Sequence, residues 1–144
     1  MKINECMTRE VRIIDPTETL QEAARAMADI DAGFLPVREN DRLIGIITDR
    51  DIAIRAVGTG RGPDAKIREV MSQEVRYCFE DEDADDVLQN MAEQQIRRLP
   101  VVDRNKRLVG IISITDLAAS GEATLSGETL SEIARPSPLH SQAI

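Results

Sequence analysis

The amino-acid sequence contains the same pattern twice. Residues 7–37 align without a gap with residues 71–101, and after one inserted residue 42–53 align with 107–118. The match is densest where RLIGIIT in the first copy corresponds to RLVGIIS in the second. Repeats of this length are supersecondary units that bury their apolar faces against each other. The chain is therefore predicted to fold as two matched halves, and such halves create two related clefts where function should be sought.

Each copy predicts the element order strand, helix, strand, strand, helix. In the first copy Thr19 and Glu22 form a capping box at the start of the first helix, and Gly33 is expected to end it. The apolar positions at helical spacing are Leu20, Ala23, Ala24 and Met27 in the first copy and Ala84, Val87, Leu88 and Met91 in the second. The predicted fold class is therefore α/β in the broad sense (α+β), built from two β-α-β-β-α units.

The other predicted elements follow the same order. Strands are expected at residues 11–14, 34–37 and 43–47, then at 99–102 and 108–112, with Cys78 in a further strand. Helical segments are expected at residues 49–57, at 67–71 as a short link, and at 130–135 as one or two turns. We place the copies at residues 1–60 and 61–120, followed by a polar tail at 121–144.

Charge and composition exclude several classes of protein. A net charge of −8 with one Tyr and two Phe offers neither the positive field nor the stacking that nucleic-acid binding requires. No apolar run approaches the roughly 20 residues of a membrane span, and the N-terminal residues lack a signal-peptide pattern. We therefore expect no nucleic acid, no membrane and a cytoplasmic location. Cys6 and Cys78 form neither a disulfide framework nor a metal-ligand spacing, and Cys78 is expected to be a small core residue.

The strongest local signal is GIITDRD at residues 45–51, repeated as GIISITD at residues 110–116. In both copies a buried strand leads to a hydroxyl residue, and an Asp follows three residues later. One interpretation is a helix N-cap, which contributes about 0.5–2 kcal/mol. The other adds a ligand, because an ionised Asp accepts two hydroxyl hydrogen bonds, as a ribose diol would donate, and a helix N-terminus attracts a phosphate.

Basic residues stand close to these motifs in the sequence. Arg97 and Arg98 precede a core strand, and Arg50 is next to Asp51. Arginine forms forked bonds to phosphate, although exposed arginines are more often solvated surface charges. The first copy has Gly33-Phe34 where the second has the two arginines, so the two clefts cannot be chemically equal.

The duplicated pattern resembles the cystathionine-β-synthase (CBS) domain, two copies of which form a Bateman module with pseudo-two-fold symmetry. The resemblance covers residues 1–120 and rests on LPV followed by GIITDRD in the first copy, and LPV followed by GIISITD in the second. The chain is most similar to stand-alone bacterial CBS-pair signalling proteins of the hypoxia-response type. The family implies that adenine nucleotides bind in two clefts between the copies.

By this resemblance Asp51 and Asp116 hold ribose, with Thr48 and Ser113 beside them, and each site takes its base pocket largely from the other copy. The pattern at Arg98 is similar to that of the AMP-activated kinase γ subunit, which implies a phosphate contact; Arg97 stands where that subunit has His. The complete set of implied nucleotide-binding residues is Arg12, Ala32, Gly33, Phe34, Thr48, Arg50, Asp51, Arg76, Ile96, Arg97, Arg98, Ile111, Ser113, Thr115 and Asp116.

The sequence therefore favours a non-catalytic regulatory module that binds an adenine nucleotide and signals by conformational change. AMP is the preferred ligand, with ADP, ATP, NAD and S-adenosylmethionine left open, and no metal is expected to be required. The resemblance also implies a homodimer, with the helices after Asp51 and Asp116 as contact surfaces, and an unidentified protein target. The alternative is a structural dimer with empty clefts. An enzyme is the weakest hypothesis, because the single His140 lies in the tail and no acid or thiol is paired with a base.

Overall fold

A computed structural model describes the backbone of residues 1–119 and the side chains of residues 1–117. The α-helices are α1 (Leu20–Ile30), α2 (Asp49–Asp51), α3 (Ala84–Gln94) and α4 (Ile114–Ala119). The strands are β1 (Phe34–Glu39), β2 (Arg42–Thr48), β3 (Cys78–Phe79), β4 (Arg98–Val102) and β5 (Leu108–Ser113). Short 3-10 helices span Ile3–Glu5, Val57–Thr59 and Ile67–Glu69, and a π-helix spans Ile52–Ala56. This mixture of short helices and small sheets is the predicted α+β class.

The described chain divides into two compact units, and neither is a continuous stretch of sequence. We name each unit after a carboxylate residue that it contains, Asp51 or Asp116. The Asp51 unit consists of residues 10–77 and 102–108, and the Asp116 unit consists of residues 1–9, 78–101 and 109–119. Each unit therefore combines most of one copy with a short segment from elsewhere in the chain.

The Asp51 unit is built around an antiparallel hairpin of β1 and β2, which runs from the pair Phe34–Thr48 to the pair Glu39–Arg42. Asn40 and Asp41 connect the strands with φ angles of 54° and 64°. A two-residue turn with positive φ at both positions matches the twist of the hairpin. The structure thus confirms the predicted strands at 34–37 and 43–47 and the turn between them.

The strand predicted at residues 11–14 is reduced to a single residue. Only Ile14 pairs, through a parallel bridge to Val37, with its N–H donating to Pro36 O (3.1 Å) and its C=O accepting from Arg38 N (3.0 Å). The pairing stops there because the next residue, Asp15, turns its N–H away to Glu18 Oε2 at 2.7 Å. The prediction of a four-residue strand was therefore wrong.

Helix α1 begins as predicted, with Thr19 accepting a hydrogen bond from Glu22 N and Glu22 returning one. Its buried face includes Ala26 rather than Ala24, which is exposed. The helix ends at Asp31, whose φ of 52° is left-handed, and not at Gly33 as expected. Gly33 instead lies against the Asp49 carboxylate, which a Cβ at this position would overlap unless the Asp49 side chain moved.

The Asp116 unit contains a three-stranded sheet in the order β3-β4-β5, except for the end residues Val102 and Leu108, which are assigned to the Asp51 unit. The predicted face of α3 is confirmed, since Ala84, Val87, Leu88 and Met91 are buried in one cluster. Cys78 lies in β3 and belongs to this cluster, as predicted. Burial, with a smaller contribution from the negative charge of Glu82, raises the pKa of the Cys78 thiol to about 12.

The N-terminal segment is tied into this unit by its backbone. Ile3 N donates to Glu82 O at 3.0 Å and Asn4 N to Glu80 O at 2.9 Å. Ile3 is fully buried in the same cluster as the α3 face. Residues 1–9 are therefore part of the Asp116 unit and not a loose extension.

Two helical predictions need correction. The single helix expected at 49–57 consists of the α-helical α2, the π-helix Ile52–Ala56 and a 3-10 turn, because successive hydrogen bonds change their spacing. The link expected at 67–71 is only the 3-10 turn Ile67–Glu69. The segment predicted at 130–135 lies outside the described residues. Among the helices that are described, none is long and apolar enough to cross a lipid bilayer.

Candidate functional site

Both candidate carboxylates lie where a buried strand turns into a helix. In the Asp51 unit, Asp51 N donates to Thr48 Oγ1 at 3.0 Å, and Thr48 N donates to Asp51 Oδ2 at 3.1 Å. In the Asp116 unit, Asp116 N donates to Ser113 Oγ at 3.0 Å, and Ser113 N donates to Asp116 Oδ2 at 3.1 Å. The predicted caps are confirmed. Each uses Oδ2 of its carboxylate as an acceptor, so the remaining lone pairs of the carboxylate are available to other donors.

The other carboxylate oxygen has a different neighbour in each unit. Thr8 Oγ1 donates to Asp116 at 3.2 Å from Oδ1 and 3.3 Å from Oδ2. In the Asp51 unit, Arg55 Nη1 lies 3.8 Å from Asp51 Oδ1, with the Asp51 side chain 18% exposed and the Arg55 side chain 50% exposed. One carboxylate therefore receives a neutral hydroxyl and the other faces a cation.

The contact of Thr8 with Asp116 was not predicted from the sequence. Thr8 is held against β5 by two backbone hydrogen bonds with Ile111, each of 2.9 Å. The repeat contains a signal for it, because Ser72 occupies the aligned position in the other copy and forms the same kind of bridge with Ile46. A hydroxyl residue at both aligned positions marks the segment that passes beside each carboxylate strand.

Glycine in the repeated motif allows these segments to approach. A Cβ on Gly110 would lie 2.8 Å from both Met7 Sδ and Thr8 O. A Cβ on Gly45 would lie 2.7 Å from Met71 Sδ and 2.9 Å from Ser72 O. Because one of the atoms in each set is backbone, it cannot move aside without displacing the bridge. The glycines therefore hold a second hydroxyl-bearing segment against each strand.

The loop before the first strand of each hairpin also contacts the start of the helix. Gly33 O accepts from Asp49 N at 3.0 Å, and at the aligned position Arg97 O accepts from Ile114 N at 3.2 Å. Gly33 thus lies beside the Thr48–Asp51 cap, and Arg97 beside the Ser113–Asp116 cap. The local surroundings of the two caps differ in charge.

The structure divides the predicted site residues between the two units. The Asp51 unit contains Arg12, Ala32, Gly33, Phe34, Thr48, Arg50, Asp51 and Arg76, and the Asp116 unit contains Ile96, Arg97, Arg98, Ile111, Ser113, Thr115 and Asp116. All five predicted arginines are exposed, and within the described residues none of them pairs with a carboxylate. Ile96 is half-buried and lies just after the end of α3, where its N–H donates to Met91 O at 3.1 Å. The expected pairing of residues from different copies stays a prediction.

Comparison with known proteins gives several close matches. The chain is 42% identical over 118 residues to the CBS domain-containing protein YhcV of Bacillus subtilis, covering 82% of this chain and 84% of that protein. A crystal structure of Hypoxic Response Protein I with two coordinated zinc ions matches with a TM-score of 0.75 and 34% identity, over 83% of this chain and 98% of that one.

A second solved structure carries information on ligands. The CBS domain pair of protein MJ0100, in complex with 5′-methylthioadenosine and S-adenosyl-L-methionine, matches with a TM-score of 0.72 and 27% identity. The match covers 86% of this chain and 98% of that chain.

The zinc ions in Hypoxic Response Protein I correct one expectation. From the sequence no metal was expected to be required, but the crystal structure of this similar protein has two coordinated zinc ions. Zinc prefers Cys, His and carboxylate ligands, usually in groups of three or four. Within the described residues no three such side chains come together, and His140 lies outside them. We therefore assign no zinc ligand in the described part of this chain.

The family model of the CBS domain matches the chain twice, at residues 3–58 and 67–121. These two matches contain both strand–helix caps and both glycines that admit the neighbouring segments. This protein therefore belongs to the CBS domain family and carries a pair of CBS domains.

Proposed function

We propose that this protein is a non-catalytic regulatory module that binds an adenine nucleotide, with AMP preferred, at the Asp51 and Asp116 carboxylates. One observation carries the proposal. In both units the same cap holds an Asp at a strand–helix junction with a carboxylate oxygen that the cap does not use. Two related binding sites are expected to share such an arrangement and to differ in the residues around it.

Ribose is the ligand group that suits this arrangement. Its two adjacent hydroxyls donate hydrogen bonds, and an ionised carboxylate is an acceptor with about four lone-pair sites. The Thr8 hydroxyl accepts as well as donates, so its oxygen can also receive a hydrogen bond from one of the two ribose hydroxyls. The MJ0100 complex supports this choice, because methylthioadenosine and S-adenosylmethionine share an adenosine.

Arginine is the group that would bind the phosphate. Arg97 and Arg98 lie beside the Ser113–Asp116 cap, and Arg50 is adjacent to Asp51. Exposed guanidinium groups without a carboxylate partner are available for forked bonds to phosphate oxygens. We propose that the bound nucleotide changes the conformation of the pair and that a protein target reads this change.

A structural dimer is the second candidate, and one observation favours it. Ile54 and Val57, on the helical segment after Asp51, are 51% and 68% exposed. Ile54 also lines a shallow groove of about 490 Å³ with Arg55, Thr59, Arg61 and Glu69. Large exposed side chains next to a groove are typical of an interface, and we propose that this segment is the homodimer contact.

Ligand occupancy separates the two candidates. The test is a thermal-shift and calorimetric titration of the full chain with AMP, ADP, ATP, NAD and S-adenosylmethionine. A ligand at 100 times its dissociation constant stabilises by about 2.7 kcal/mol, which raises the Tm by roughly 5–10 °C for a chain of this size. The control ligand is 2′,3′-dideoxyadenosine monophosphate, which lacks the diol and should bind far more weakly. Absence of binding by every adenosine compound would leave only the structural dimer.

A further inference from the structure

Two arginines from different copies are placed opposite each other within the Asp51 unit. Arg42, at the start of β2, forms an isolated antiparallel bridge with Arg107, and Leu108 N donates to Asp41 O at 3.2 Å beside it. Residues opposite each other in an antiparallel pair have Cα atoms about 4.5–5.5 Å apart. The two side chains therefore begin from neighbouring points of the same surface.

This pairing is unfavourable by itself. Like charges directly opposite each other across two strands are destabilising. Both arginines are exposed, and within the described residues neither has a carboxylate partner. Glu39 lies opposite Arg42 in the hairpin without forming an ion pair with it, and the chain as a whole carries a net charge of −8.

Most acidic side chains near Arg42 and Arg107 form hydrogen bonds or ion pairs with other groups. Asp103 Oδ1 accepts from Asn105 N and Arg107 N, both at 2.9 Å, and so closes its own turn. Glu39 Oε2 is paired with Arg68 Nη2 at 2.7 Å. Asp41, next to Arg42 in the sequence, is the acid that remains.

Further positive charge lies on the same turn. Lys106 is held with Nζ 5.5 Å from the centre of the Tyr77 ring, and Arg104 precedes it. Counted together, residues 41, 42 and 103–107 carry an excess of two positive charges. A local positive cluster on an acidic protein matches an anion of about the same charge.

We infer that Arg42 and Arg107 form an anion site for a phosphate group, separate from the Asp51 and Asp116 carboxylates. Two guanidinium forks side by side present parallel N–H donors to the oxygens of a tetrahedral dianion. The bound phosphate would also remove the repulsion between the two charges. The phosphate group is either free inorganic phosphate or the monoester of a larger molecule.

The test is a titration of the full, 15N-labelled chain with inorganic phosphate and, in a second arm, methyl phosphate, at constant ionic strength. We expect saturable NMR shifts of the Arg42 and Arg107 Nε–H signals, and none with an equal ionic strength of chloride. Saturation with both ligands identifies a monoester site, and saturation with inorganic phosphate alone identifies a site for the free ion. Non-saturable shifts in both arms would overturn the inference.

Variants locate the site. Arg42→Gln and Arg107→Gln should each weaken phosphate binding about tenfold or more, the usual loss for hydrogen bonds to a charged group. The matched control is Arg25→Gln, which removes an exposed arginine from α1 and should leave binding unchanged. Arg107→Lys keeps the charge without the fork and should bind with intermediate affinity. Unchanged saturable binding in the Arg42→Gln, Arg107→Gln double variant would contradict the assignment.

The same inference predicts a result without ligand. Removing one of two facing like charges should raise the Tm of the phosphate-free Arg107→Gln protein at low salt, whereas Arg25→Gln should not. Because this measurement needs no nucleotide, its outcome is independent of the proposed ribose sites. A fall in Tm for Arg107→Gln alone would show that the facing arginines stabilise the unliganded chain and would overturn the argument.

Discussion

The Asp51 and Asp116 sites share their cap and differ in what lies next to it. Hydrogen bonds of the two caps agree within 0.1 Å, at 3.0 and 3.1 Å in each unit. The remaining oxygen meets the Thr8 hydroxyl in one unit and the Arg55 guanidinium in the other. Duplication has preserved the local geometry of the carboxylate, while its further partner comes from a segment distant in sequence in one unit and from the helical segment that follows it in the other. The side-chain partner of the remaining oxygen is thus neutral at the Asp116 site and cationic at the Asp51 site.

The largest expected effect is on ligand binding. Asp116→Asn keeps the shape of the side chain but removes the charge that ribose hydroxyls would meet, so AMP binding at that site should weaken by about 1.5–3 kcal/mol. Asp51→Asn should reduce binding at the other site, and by less if Arg55 already compensates its charge. Isothermal titration calorimetry of both single variants measures this difference. Equal affinity in the wild type and in Asp116→Asn would rule out the ribose contact.

Substitutions at Gly45 and Gly110 test whether both units need the neighbouring segment equally close to the strand. Gly110→Ala places a Cβ against Thr8 O, and overpacking of this kind should lower the free energy of unfolding by about 1–3 kcal/mol. Gly45→Ala should cost a similar amount because Ser72 O is equally close. Gly33→Ala is the matched control, since it meets only the side chain of Asp49, which can rotate away. Urea unfolding of the three variants should place Gly33→Ala as the most stable.

The Thr48 and Ser113 caps should contribute equally to the stability of the protein. Thr48→Ala and Ser113→Ala each remove the hydroxyl that accepts from the Asp backbone N–H, which should cost about 0.5–2 kcal/mol of stability. Thermal unfolding compares the two, with Thr17→Ala, outside both caps, as a control for the loss of a hydroxyl. A cost confined to one variant would show that the shared geometry does not have a shared energetic role.

The smallest expected effect distinguishes the two neighbours of the carboxylates. Arg55→Gln removes a half-exposed charge 3.8 Å from Asp51, and such contacts contribute about 0.2–1 kcal/mol and weaken with salt. Thr8→Val removes a neutral donor from Asp116, so its effect should persist at high salt. Unfolding at low and high NaCl separates the two. A salt-independent effect of Arg55→Gln would mean that its packing, and not its charge, matters.

Local signals explain what could be predicted from the sequence. The caps at Thr48 and Ser113 and the buried faces of α1 and α3 follow from residues three or four positions apart, which lie close together in any helix. The hairpin turn at Asn40-Asp41 is equally local. Such contacts depend on the immediate sequence and on little else.

Contacts between distant residues explain what could not be predicted. Thr8 and Asp116 are 108 residues apart, and no periodicity links them. The π-helix Ile52–Ala56 has no sequence signature in an apolar pattern that a regular helix explains equally well. Likewise residues 11–14 have the composition of a strand, but in the structure only Ile14 forms a bridge, to Val37. The expectation that no metal is required was contradicted by the two zinc ions of Hypoxic Response Protein I, a similar protein, and not by any residue pattern in this sequence.

Each unit combines segments that are far apart in the sequence, and this has a consequence for folding during synthesis. Residues 1–9 are translated well before the other segments of the same unit, residues 78–101 and 109–119. The Asp51 unit likewise waits for residues 102–108 before its bridge to Arg42 can form. Long sequence separation between contacting segments slows folding, so neither unit can finish during translation of its own copy. A fragment that contains only one copy of the repeat therefore lacks part of either unit.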